Sequence, residues 1–225
     1  MKTNNKNHIM KSKTWVINLF ILATTVGLAT GCASTGNDKS ASTVKSLSKS
    51  SKLIDKSTVL IDQTQARLND LVSNPNPDLR KQSDAFSSSL NDLGSIAKDV
   101  SSKADEMKAQ GAAYFTKWDE ETARMQNEDI RHRSQARKLE VAANFARISQ
   151  QYDDTKTAFQ PFMSDLRDVQ NYLNTDLTAG GLAAIKDVAA KSAGDAIPLK
   201  ESMGKLSEAF KRLGLSMSTA SGVTK

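Results

Sequence analysis

The chain holds one cysteine, Cys32, in the stretch LATGCAS at residues 28–34. A thiolate is a strong nucleophile, so this is the residue whose type most plainly invites chemistry. One cysteine cannot close an internal disulfide, and it cannot build a cysteine-rich zinc site. What remains is modification of the sulfur itself. The residues in front of it say of what kind. Lys2, Lys6, Lys11 and Lys13 stand at the start with no acid among them. An apolar run follows at 15–28, about 14 residues, short of the ~20 that span a bilayer as a helix. Ala29, Thr30 and Gly31 are small and directly precede Cys32. A basic start, a short apolar core and small residues before a cut describe a secretory signal peptide over 1–31.

Ala29-Thr30-Gly31-Cys32 resembles the lipobox of bacterial lipoprotein precursors, with Leu28 one place earlier than usual. The resemblance implies a diacylglyceryl thioether on Cys32, cleavage between Gly31 and Cys32, and acylation of the new amine by a chain such as palmitate. Acyl chains contribute ~0.8 kcal/mol per buried methylene, and stable anchoring takes more than one. In the enteric sorting scheme an Asp after the lipidated Cys retains a lipoprotein at the inner membrane. Ala33 stands there, so the resemblance implies the periplasmic face of the outer membrane of a Gram-negative cell.

No other residues pattern as a reaction centre. There is no Ser/His/Asp arrangement and no Gly-rich phosphate loop. The expectation is a protein that is not an enzyme and has no cofactor and no metal. His132 lies between Arg131 and Arg133 and reads as a surface residue. Asp165, Asp168 and Asp176 lack the clustered loop that calcium sites use. The net charge of +6 suggests nucleic acid at first sight. Four of the lysines belong to the signal, which leaves 27 basic and 25 acidic residues. A near-neutral exported chain is not expected to bind nucleic acid.

Long helices must carry whatever function exists. Few Gly and Pro and much Ala, Lys, Ser, Leu and Asp favour them. Residues 33–42 read as a flexible tether after Cys32, with the lipidated Cys and tether together spanning 32–42. From Val44, apolar places recur in alternating steps of three and four, as in a coiled-coil seam. The spacing predicts helices at roughly 43–73, 77–126, 128–176 and 180–214. Ser51, Thr58 and Gln65 interrupt the first seam, so that helix should pack least tightly. Asn74-Pro75-Asn76-Pro77 breaks the first helix, and Pro77 is placed to begin the second. Asn127 reads as an N-cap. Pro161 and Pro198 should kink helices without ending them. Thr178-Ala179-Gly180-Gly181 is the last break, and 216–225 reads as a loose tail. The fold class is all-α: an elongated antiparallel bundle or coiled coil of four helices over 43–215, with a long central hairpin.

The two middle helices exceed the outer two by about 15 residues each on this reading. The far end of the hairpin, about 110–142, should then project as an arm by ~20–25 Å at helical rise. The arm carries Tyr114, Phe115 and Trp118, and the basic group Arg131, Arg133 and Arg137. Aromatics and Arg are common anchors of partner interfaces. Tyr114 and Trp118 also fall on the seam, where packing against the third helix is the plainer role. Gly111 should weaken the helix where the arm departs.

Tyr114-Phe115 with Trp118, the run 158–169 (AFQPFMSDLRDV) and Asp176-Leu177-Thr178 with Gly180 resemble a family of Gram-negative bacterial lipoproteins, domain of unknown function 2959. The resemblance implies a helical periplasmic lipoprotein and supplies no activity and no functional residue. The expected function is a lipid-anchored scaffold that binds an unidentified envelope protein through the hairpin tip. The alternative is a tether between outer membrane and peptidoglycan through Lys225. The seams leave self-association open.

Overall fold

A computed structural model describes residues 36–218, and the following statements concern those residues. They form four helices: α1 (Gly36–Ser73), α2 (Leu79–Ala123), α3 (Glu128–Thr175) and α4 (Ala179–Met217). Short connections make sequence neighbours antiparallel. Contacts run α1 to α2, α1 to α4, α2 to α3 and α3 to α4, so the helices stand in chain order around one core. No helix is long and apolar enough to cross a membrane.

The seams fill that core. Leu47, Ile54, Ile61 and Leu68 of α1 are buried, as are Phe86, Leu90 and Leu93 of α2. Phe162, Leu166 and Leu173 of α3 and Leu199, Leu206 and Phe210 of α4 meet them. Asp78, Asn127 and Thr178 cap α2, α3 and α4, accepting from the amides of Arg80, Ile130 and Gly181 respectively. Each satisfies an amide that the first helical turn leaves unpaired. Pro77 precedes the cap of α2 and does not begin the helix. The helices α3 and α4 run on through Pro161 and Pro198. In the first connection the buried Gln82 does the organising. Its amide nitrogen donates to Asp70 Oδ2 (2.9 Å) and to the Asn74 carbonyl (3.0 Å), and its oxygen accepts from the Asn76 amide (2.9 Å).

Two sequence expectations are overturned, and one cause explains both. The helix α1 starts at Gly36, inside the stretch expected to be a tether. Far from packing least, it has the most extensive contacts, with α2 and with α4, while α2 and α3 touch least. Its small polar residues are responsible. Ser40, Thr43, Ser46, Ser50, Ser57 and Thr64 are all buried. Their size lets neighbouring backbones approach. Several hydroxyls are satisfied within α1 itself: Thr43 donates to the Lys39 carbonyl (2.9 Å), Ser57 to Leu53 (2.8 Å) and Thr64 to Leu60 (2.8 Å). Such back-bonding lets a hydroxyl be buried without an outside partner.

The bundle should be stable over a broad pH range and weaken in alkali. Burial pushes the Tyr114 and Tyr152 phenols up from their ordinary 10.0. Hydrogen bonds to Asp165 raise Lys191, and bonds to Glu208 and then Asp55 raise Lys211. The folded state therefore holds these protons more tightly than the unfolded chain does. Their contribution is fully present below about pH 10 and is lost as pH rises through the folded values. Glu106 and Glu120 are lowered, chiefly by hydrogen bonds from Lys103 and Lys117. Their small contribution fades as pH falls below the ordinary carboxylate range. Urea midpoints should be level from about pH 5 to 9 and fall by about pH 11. Tyr152→Phe should flatten part of the alkaline fall. An alkaline midpoint equal to the neutral one would contradict the burial of both phenols.

Candidate functional site

The aromatic and basic residues singled out from sequence do meet at one end of the bundle. They do not sit on a free arm. Ser40 of α1 donates to the carbonyl of Met217 of α4. Asn37, Ser40 and Met217 surround a small pocket with Tyr114, Trp118 and Met125. Arg137 Nη2 reaches the Ser216 carbonyl at 3.4 Å. The outer helices therefore accompany the hairpin almost to its turn, and the overhang expected at 110–142 does not exist. The difference comes from the lengths: 38 and 39 residues outside against 45 and 48 in the middle.

The turn is built from the residues upward. Helix α2 closes with the Arg124 and Met125 amides donating to the Glu121 (3.2 Å) and Thr122 (3.1 Å) carbonyls. Asn127 Oδ1 then accepts from the Ile130 amide at 3.1 Å. Glu128 and Asp129 occupy the first turn of α3, where the helix dipole favours negative charge. Across the turn the Trp118 indole N–H donates to Ser134 Oγ at 2.8 Å, and Thr122 Oγ1 lies 2.8 Å from the same oxygen. Lys138 pairs with Asp119 at 2.5 Å. The Trp118 ring stands edge-on to Tyr114 (5.3 Å), and Phe115 stands edge-on to Phe145 (5.7 Å). Tyr114, Phe115 and Trp118 are thus half-buried fixtures that join α2 to its neighbours. Gly111 is buried under the Phe145 ring and is a packing slot, where the sequence suggested a weak point.

The basic residues divide. Arg131 pairs with Glu128, and Arg137 pairs with Glu140 at 2.7 Å. Arg133 is exposed and has no carboxylate partner among the described residues. His132 is a surface side chain, 3.9 Å from Glu128. No group of His, Cys, Asp or Glu among the described residues could hold a metal ion. Asp165 is engaged by Lys191 at 2.6 Å. Gly31, Cys32 and Lys225 lie outside the described residues, as do the rest of 1–35 and the last seven residues.

Two features were not anticipated. Ile130 (55 %), Leu139 (69 %) and Leu215 (74 %) remain exposed at this same end. The first two are legible as off-seam apolar residues in α3, and Leu215 in the last turn of α4 is their counterpart. Farther along, α2 and α3 part to leave a cleft walled by Val100, Tyr152 and Phe159. Only Gly94 and Ala97, two small residues near the seam, hint at it in the sequence.

These features define an all-α protein, an antiparallel four-helix bundle. It belongs to the family described as protein of unknown function (DUF2959), whose model matches residues 31–211. No curated protein and no solved structure matches the chain.

Proposed function

We propose that this protein is a lipid-anchored bundle of the Gram-negative cell envelope, facing the periplasm from the outer membrane, which binds an envelope protein without catalysing a reaction. The binding end is the one where α1 begins, α4 finishes and α2 turns into α3. The observation that carries the reading is that three large apolar side chains stay exposed around that end. Leu139 and Leu215 are the two most exposed large apolar residues among those described, and Ile130 and the unpaired Arg133 join them. An isolated exposed Leu needs no explanation, whereas several at one end with Arg beside them fit a partner interface.

The anchoring part rests on the signal-like residues before Cys32. The family match also begins at residue 31, beside that cysteine. If Cys32 carries lipid, only three residues stand between it and Gly36. The four Cα–Cα steps from Cys32 to Gly36 reach at most about 14 Å. The binding end would then work close to the bilayer, so the partner would be a membrane protein or another anchored one.

Photo-crosslinking in cells tests the binding reading. A photoreactive residue at Leu139 should yield a discrete heterologous adduct, and one at Ile197, 60 % exposed on the flank of α4, should not. Equal adducts from both positions, or none from Leu139 with the protein present in the membrane, would reject it. Radiolabelled palmitate should enter the wild-type protein and not Cys32→Ser, which tests the anchor separately.

A further inference from the structure

The cleft between α2 and α3 has two compartments of different character. The inner one, about 230 Å³, is apolar, with Ile54, Met203 and Leu206 of the outer helices as its floor. The other, about 300 Å³, is polar and offers the side chains of Asn91, Gln170 and Asn171. Gly94, Lys98 and Arg167 border both compartments and mark the passage between them. Together the two spaces fall within the ~300–1,000 Å³ usual for small-ligand sites.

Charge singles out the occupant. No carboxylate lines either compartment, and three cations do: Lys98, Lys156 and Arg167. On these two helices Lys103, Lys108, Lys117 and Lys138 each pair with an acid, while Arg80, Lys81, Arg133 and Arg147, outside the cleft, have no ion pair among the described residues. Lys98 and Arg167 have no ion-pair partner among the described residues, and Lys156 donates to Ser101 Oγ at 3.2 Å. An apolar chamber beside unneutralised cations matches a molecule with one apolar chain and one anionic head. The inner chamber, at about 230 Å³, is too small for the two chains of a phospholipid and holds part of one chain, the rest lying along the open cleft. A guanidinium fork suits a carboxylate, which it can engage with two parallel bonds.

We infer that this cleft binds a long-chain fatty acid, with the chain between Val100, Tyr152 and Phe159 and the carboxylate at Lys98 and Arg167. This site is distinct from the partner-binding end and does not depend on it.

Gly94 supplies the means of testing it. A Cβ at this position would stand 3.8 Å from Arg167 Nη2 and 3.9 Å from Met163 Cε, ordinary contact distances. A Cβ at 94 is therefore accommodated, and the branched end of a leucine there would enter the passage beside the flexible ends of Arg167 and Met163. The full chain is produced in cells, and isolated membranes are illuminated with a palmitate analogue carrying a mid-chain diazirine. Light-dependent adducts are mapped by peptide mass spectrometry. They should fall on the peptides holding Val100 and Phe159. Gly94→Leu should reduce them about tenfold, the equivalent of 1.4 kcal/mol. Lys98→Gln with Arg167→Gln, both exposed positions that leave the core untouched, should reduce them several-fold. The uncharged alcohol analogue should label the wild type no better than the acid labels this double variant. Circular dichroism verifies that each variant is folded, and the double variant decides the matter should Gly94→Leu melt. Adducts spread evenly along the chain would overturn the inference. So would adducts indifferent to both variants.

Discussion

Gly181→Ala should lower the stability of the bundle by about 3 kcal/mol, the upper part of the usual range for forcing a group into filled space. In a domain of this size that is on the order of 6–12 °C in melting temperature. The neighbouring Gly180→Ala should be neutral or raise it slightly. The contrast follows from what each methyl would meet. At Gly181 a Cβ would lie 2.1 Å from the Asp176 carbonyl oxygen and 3.1 Å from its carbon. These are backbone atoms, and the turn fixes them. The Asp176 amide donates to the Tyr172 carbonyl at 2.9 Å. Thr178 Oγ1 donates to Asp176 Oδ1 (2.7 Å) and accepts from the Gly181 amide (3.2 Å). No side chain can swing aside to make room. At Gly180 the nearest atom is 3.6 Å away. There alanine removes freedom from the unfolded chain, worth ~0.4–1 kcal/mol where the native backbone accepts it. Thermal melts of the two variants are the measurement. Equal melting temperatures would mean that the turn is not held as described.

Gly111→Val should cost about 2–3 kcal/mol, for a different reason. A Cβ there would lie 2.2 Å from Phe145 Cζ and 2.7 Å from both Cε atoms, so the ring stands end-on over the glycine. That ring is 8 % exposed and leans on Phe115. It cannot retreat without opening the core. Removing the ring alone, Phe145→Ala, should cost ~3–5 kcal/mol. The two changes together should cost less than their sum by about 1–3 kcal/mol, because valine occupies space the ring has left. Urea denaturation of the four proteins of this cycle measures the coupling. Strict additivity would show that the ring and the glycine do not share one space.

The contents of the four helices were legible because large apolar residues carry the period. Leu47, Ile54, Ile61 and Leu68 are buried where the seam puts them. The breaks were legible from Asn127 and from the Pro and Gly pairs. The first turns of α1 were not. Apolarity is what a seam search detects, and Ser40, Thr43 and Ser46 are buried without it. From that omission came the tether that is partly helix and the arm that is covered, while the helix expected to be loose came from counting Ser51, Thr58 and Gln65 as gaps in its seam. The aromatic group was legible as a group, since Tyr114, Phe115 and Trp118 do gather at one end. That Trp118 is tied to Ser134 depends on a polar residue of α3 that no apolar spacing marks. The cleft could not be read, because it is a property of the distance between two helices.

The contact between Ser40 and Met217 joins residues 177 positions apart. The flank of α1 that meets α4 is therefore covered only when the whole chain, last helix included, has been exported. Without α4 the helix α1 can settle against α2, but its other flank has nothing to lie on. C-terminally truncated chains should therefore present the flank of α1 that carries Ser40 to chaperones and proteases. Quality control would in effect be reading whether the last helix has arrived.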